Sequence, residues 1–138
     1  MSTPFGPQLI GETEKTLNAL LRRFLHGTGL TEPQWVTLRV ADLLGGSVDG
    51  DGLAAAVADR AQFPDAAALV GGLTDRGLLD DGQLTSTGRE LTTAVQATIR
   101  TETAPIWDTL PADDVAAATR VLDEVILRAR AVLERSPR

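Results

Sequence analysis

The chain carries one histidine (His26), no cysteine and no tyrosine. Most sets for acid–base or nucleophilic catalysis cannot be assembled from what remains, because they draw on imidazole, thiolate or phenol groups. Lack of cysteine also removes disulfide scaffolds, thiolate metal sites and thiol redox sensing. A lone imidazole makes a poor metal site, and the plainer role for His26 is to close the first helix near its orphan carbonyls. Gly45-Gly46-Ser47-Val48-Asp49-Gly50-Asp51-Gly52 has the glycines and acids of a phosphate or calcium loop. It has neither the Gly-Lys-Ser/Thr of the first nor the closing glutamate of the second, so it reads as a helix-capping loop. What is left for chemistry is cationic: Arg60, Arg76 and Arg89 could each meet a phosphate, though each could equally be a solvated or locally paired side chain.

Six helices and one hairpin position these groups. Ile10, Leu17, Leu20, Leu21 and Phe24 recur at helical spacing between Gln8 and His26, and Gly27-Thr28-Gly29 stops them. Thr31 at an N-cap position and Pro33 in the first turn start a second helix that runs to Leu44. Trp35, Val36, Leu38, Val40, Ala41 and Leu43 make it apolar on most sides, so it should sit centrally. A third, short helix spans Leu53 to about Asp59, with Leu53 and Val57 inward. A fourth spans Pro64 to Arg76, with Ala66, Leu69, Val70 and Leu73 as its stripe and Gly77 as its stop. Asp81-Gly82 between two short apolar segments predicts a β-hairpin. Ser86 or Thr87 should cap a fifth helix that runs toward Trp107, with Glu90 near the capping-box position and Pro105 kinking or interrupting it near its end. The last helix, opened by Pro111, carries the seam Val115, Ala118, Leu122, Val125, Ala129 and Val132. Arg128, Arg130, Arg135 and Arg138 lie toward its C-terminal end, where they suit the helix dipole.

The order predicts a mainly α protein with a short β-hairpin wing. Residues 31–88 form a winged helix-turn-helix core, flanked by residues 1–30 and 89–138 as dimerisation helices. The apolar stripes left over on the outer helices call for a homodimer. At 138 residues the chain is one domain of ordinary size, and its composition (43% hydrophobic, 23% charged) is that of a globular protein. No apolar run approaches the ~20 residues of a membrane helix, and the first residues have neither the basic nor the apolar region of an export signal. A cytoplasmic location is the expectation. Net charge is −6, which works against general affinity for nucleic acid.

Three segments then bring a family into view. Leu30-Thr31-Glu32-Pro33-Gln34-Trp35, Leu69-Val70-Gly71-Gly72-Leu73-Thr74-Asp75-Arg76-Gly77-Leu78-Leu79 and Leu84-Thr85-Ser86-Thr87-Gly88-Arg89-Glu90-Leu91 resemble stretches of the multiple-antibiotic-resistance-regulator (MarR) family. The similarity extends over nearly the whole chain in element order and length. It implies a homodimeric, DNA-binding transcriptional regulator, with no catalytic residues and no cofactor. It also implies a small aromatic effector held between the dimerisation helices and the reading domain. Carried to this sequence, the DNA contacts would be Arg60, Gln62, Thr74, Arg76, Gln83, Thr85 and Arg89. The ligand contacts would be Phe24, His26, Trp35, Arg39 and Trp107, although both tryptophans also suit core or interface packing.

The recognition helix departs from the family pattern. Where relatives show Ser-Arg-Pro-x-x-Thr-Arg-Leu-Val, this chain has Gln62-Phe63-Pro64-Asp65-Ala66-Ala67-Ala68-Leu69-Val70. The face opposite the core stripe becomes Asp65, Ala68, Gly72 and Asp75, and the wing shrinks to Asp80-Asp81-Gly82. From Pro33 to Thr85 there are three basic and eight acidic residues, a net of −5. Since phosphate contacts supply most of the affinity of such modules, a second function stands beside the first. It is a winged-helix dimer that binds a protein or a small molecule in place of double-stranded DNA.

Overall fold

The computed structural model describes residues 3–135. Among them are α1 (Pro7–Leu25), α2 (Glu32–Leu44), α3 (Gly50–Ala61), α4 (Ala66–Asp75), β1 (Leu79–Asp80), β2 (Gln83–Leu84), α5 (Ser86–Trp107) and α6 (Ala112–Arg135). The fold is mostly helical, with one antiparallel hairpin pairing Leu79 with Leu84 and Asp80 with Gln83. The chain divides into two compact units, Met1–Thr101 and Glu102–Arg138.

In the first unit α2 is central, as its composition predicts, and packs against α1, α3, α4 and β2. Thr31 caps it: its Oγ1 accepts from the Gln34 amide at 3.2 Å, and Gln34 Oε1 accepts from the Thr31 amide at 2.9 Å. Two N-terminal donors are thereby satisfied. Leu38, Leu53, Val57 and Leu73 are fully buried, with Trp35, Val40, Ala41, Ala66, Val70, Leu78 and Leu79 around them. Burying each large aliphatic side chain contributes roughly 1.5–3 kcal/mol, so this cluster dominates the fold energetically. Thr37 is buried too, its hydroxyl bonded to the Pro33 carbonyl at 2.8 Å. Leu43, expected inside, is 66% exposed on the outer side of α2.

Several boundaries differ from expectation for local reasons. α3 starts at Gly50 rather than Leu53, because Asp49 Oδ1 accepts from the Gly52 amide at 2.8 Å and caps the helix a turn earlier. α4 begins at Ala66 rather than Pro64, because Asp65 has non-helical backbone angles. It ends in a Schellman arrangement. Gly77, at φ 79°, donates to the Thr74 carbonyl and Leu78 to the Leu73 carbonyl, both at 3.0 Å. The cap of α5 is Thr85, not Ser86 or Thr87: its Oγ1 accepts from the Gly88 amide at 3.0 Å. With Thr85 as cap, Glu90 falls outside the capping-box position. Pro105 does not interrupt α5; it lies in the last turn, where its missing N–H costs a single backbone bond.

In the second unit α6 runs unbroken for 24 residues and none of them is buried. Leu122, Val125, Ile126, Val132 and Leu133 stand between 39% and 60% exposed.

Candidate functional site

α4 occupies the place of the recognition helix. Its core stripe buries Ala66, Val70 and Leu73 with Leu69 half-buried, which leaves Ala67, Ala68, Gly71, Gly72, Thr74 and Asp75 exposed. Asp65 is exposed as well, so the outward face has the small, acidic character read from the sequence. The hairpin adds no reach. Asp81 (φ 49°) and Gly82 (φ 82°) make the tight turn, and the turn is held against the start of α3. Asp81 Oδ1 accepts from the Gly50 amide at 3.3 Å. A Cβ on Gly82 would lie 2.5 Å from the Asp49 carbonyl oxygen.

Most of the polar residues expected at this face are engaged within the chain. Gln62 is the left-handed cap of α3, and its Nε2 donates to the Asp59 carbonyl at 2.7 Å. Thr74 bonds back to the Val70 carbonyl at 2.8 Å. Thr85 caps α5 and also donates from Oγ1 to the Gly77 carbonyl at 2.6 Å. Arg76 Nη1 donates to the Gly29 carbonyl at 3.0 Å. Arg89 lies 3.9 Å from Asp42 with its side chain 65% exposed. Gln83 lies against Gly46, and Arg60 is exposed at the last turn of α3.

A separate feature lies at the junction of α1 and α2. An open cavity of about 560 Å³ is lined by Asn18, Arg22, Leu25 and His26, by the connection through Gly27, Gly29 and Leu30, and by Thr31, Glu32 and Pro33. That volume is in the range of small-molecule sites. Burial holds the Glu32 carboxyl above its ordinary pKa; the Glu14 charge adds to this and Arg22 opposes it. Linkage fixes the sign: a raised carboxyl contributes stability while protonated, and that contribution is lost as the pH rises through its folded value. The lining combines one guanidinium (Arg22), one carboxyl (Glu32), the imidazole of His26 and the apolar bodies of Leu25, Leu30 and Pro33, so it can meet a small ligand with both polar and apolar parts.

Of the residues expected to hold a ligand, His26 lines this cavity. Phe24 is half-buried on α1, Trp35 is 5% exposed in the core, and Arg39 pairs with Asp42 at 3.2 Å. Trp107 stands half exposed in the second unit. Asn18, Arg22 and Glu32 line the cavity as well, and no sequence motif marks them. Their spacing carries a partial signal: Asn18, Arg22 and His26 recur every four residues, one polar row along α1 to its C-cap. Among the described residues no group of three acidic or histidine side chains could hold a metal ion. No helix there is long and apolar enough to cross a membrane.

No family model and no curated protein matches the sequence. Among solved structures, the chain is similar to a MarR family protein of Mycobacterium tuberculosis in complex with salicylic acid. The two are 25% identical with a TM-score of 0.59, over 89% of this chain and 98% of the other.

Proposed function

We propose that this MarR-like winged-helix chain is a homodimeric transcriptional regulator whose activity responds to a small aromatic carboxylate. The observation that carries the reading is the conjunction, in one MarR-like fold, of a helix-turn-helix with an open cavity between α1 and α2 that is lined by Arg22 and by apolar side chains. Residues 31–88 would read DNA, and residues 1–30 and 89–138 would form the dimer. α6 supports this division, because the second unit by itself leaves its apolar positions uncovered and a second copy would bury them. Contact with DNA would begin at Arg60, Gln83 and Arg89. Gln62, Thr74, Arg76 and Thr85 would join only by releasing bonds they make within the chain. Backbone amides would add to these contacts. No catalytic residue and no cofactor enter this reading, and its setting is the cytoplasm.

The cavity gives the ligand part of the reading a direct test. Salicylate should bind the purified protein in calorimetry. Arg22→Ala should weaken it about tenfold, the loss of one charge-assisted contact to the carboxylate. Equal heats for the two proteins would remove Arg22 from the site, and no heat from the wild type would remove the ligand.

One observation favours a second reading. The outward face of α4 is made of Ala67, Ala68, Gly71 and Gly72 between Asp65 and Asp75. Such a face repels phosphates, and it lets a partner backbone approach closely. In this reading the same dimer docks a protein through α4.

A further inference from the structure

Arg76 stands at the end of the reader helix, yet its guanidinium reaches 47 residues back along the chain to the Gly29 carbonyl. Gly29 belongs to the connection that walls the cavity. A Cβ on Gly29 would lie 3.2 Å from Arg76 Nη2, so the guanidinium rests directly on that backbone.

The contact joins a glycine-bearing connection to the hydrogen-bonded end of a helix. Thr28 is fixed: its Oγ1 donates to the Leu25 carbonyl at 2.6 Å and accepts from the Leu30 amide at 3.1 Å. Leu25 and Leu30 are both buried in the core. Gly27 and Gly29, at φ 87° and 79°, are the positions where that connection can change its backbone at low cost, having no side chain to hinder it. On the other side Arg76 is the C-cap of α4. The residues after it are tied by Leu78 to the Leu73 carbonyl and by Thr85 to the Leu78 carbonyl, at 3.0 and 3.1 Å. The Arg76 side chain thus links Gly29 to the point where α4, the hairpin and α5 meet.

We infer that Arg76 is a positioning residue that couples occupancy of the α1–α2 cavity to the end of α4, through its bond to the Gly29 carbonyl. The inference rests on the reading of that cavity as a ligand site. A ligand lying against the Gly27–Leu30 wall resets the Gly29 carbonyl, and Arg76 carries the change to Gly77 and Leu78. This gives Arg76 a role other than phosphate contact.

The test is an amide NMR titration of the full chain with salicylate, to about 10 mM, a range that reveals even weak binding. In the wild type, Gly27, Gly29 and Leu30 should shift together with Gly77 and Leu78, all half-saturating at the same concentration. In Arg76→Ala the cavity amides should still titrate, with half-saturation within about threefold, while the response of Gly77 and Leu78 falls at least about fivefold. Arg76→Lys, which keeps a donor, should recover part of that response. Unchanged resonances of Leu38 and Val57 would show that the variants keep their core. An undiminished response in Arg76→Ala would overturn the inference. So would wild-type cavity amides that titrate while Gly77 and Leu78 stay still, though the ligand reading would then survive. Wild-type cavity amides that do not respond to salicylate would overturn both.

Discussion

Gly88→Ala should cost the protein about 3 kcal/mol or more, a large part of the ~5–15 kcal/mol that holds a domain of this size together. Gly88 is buried in the first turn of α5, and a Cβ there would overlap the Leu78 carbonyl oxygen. The neighbour cannot give way, because that carbonyl accepts from the Thr85 amide while the Leu78 amide is bonded to Leu73. Thr85 Oγ1 further ties this corner to Gly77. The hydroxyl that caps α5 and the glycine that follows it therefore form one tight junction between reader helix, hairpin and α5. Gly71 and Gly72 provide the contrast. Nothing lies within 4 Å of a Cβ at either, so Gly71→Ala should stabilise α4 by about 1 kcal/mol. Urea unfolding of the two variants reads both signs, and a Gly88→Ala midpoint equal to that of the wild type would refute the junction.

The pair Leu122→Glu and Val125→Glu should convert a dimer into a monomer. Both positions lie on the α6 seam and are about 40% exposed in one chain, so the helix itself tolerates a carboxylate there. In a dimer the same carboxylates would be buried without partners, at about 2 kcal/mol or more each. Together that loosens the association by at least about a thousandfold. Sedimentation at micromolar concentration should give twice the chain mass for the wild type and the chain mass for the variant. Equal masses would contradict a dimer built on this seam. Thermal unfolding completes the comparison, since a variant that stays helical separates lost association from lost folding.

What the sequence shows of this fold is whatever is decided within a few residues. Thr31 ahead of Glu32-Pro33-Gln34 announces a capped helix, and Asp81-Gly82 announces the hairpin turn, because the competing forces act over one turn of chain. Leu53, Val57, Val70 and Leu73 are legible from their spacing alone. Choices settled by distant backbone are not. Thr85, Ser86 and Thr87 are all competent caps, and only the Gly77 carbonyl, eight residues back, selects Thr85. The crowding at Gly88 needs the Leu78 carbonyl in place before it can be seen.

The candidate site was legible to a smaller extent. His26 at the end of α1 marks the cavity, and the row from Asn18 through Arg22 points toward it. Glu32 is hidden by its position in a helix first turn, where an acid is ordinary. Trp35 has the residue type of a ligand platform, but its place on the central helix commits it to the core. Arg39 and Arg76 have the residue type of ligand or phosphate contacts; Asp42, the partner of Arg39, lies three residues on in the same helix and is legible from spacing, whereas the Gly29 carbonyl that holds Arg76 follows only from the fold.

DNA reading by an acidic winged helix is the part of the proposed function on which the rest depends. It is tested most directly by fluorescence-anisotropy titration of the protein with the DNA upstream of its own gene, at about 50 and 200 mM salt. Binding that is specific to that DNA and weakens steeply between the two salts is the predicted result, and it would show that Arg60, Arg89 and the backbone amides suffice for phosphate contact. No binding at either salt would contradict the claim and leave the α4 face to a protein partner.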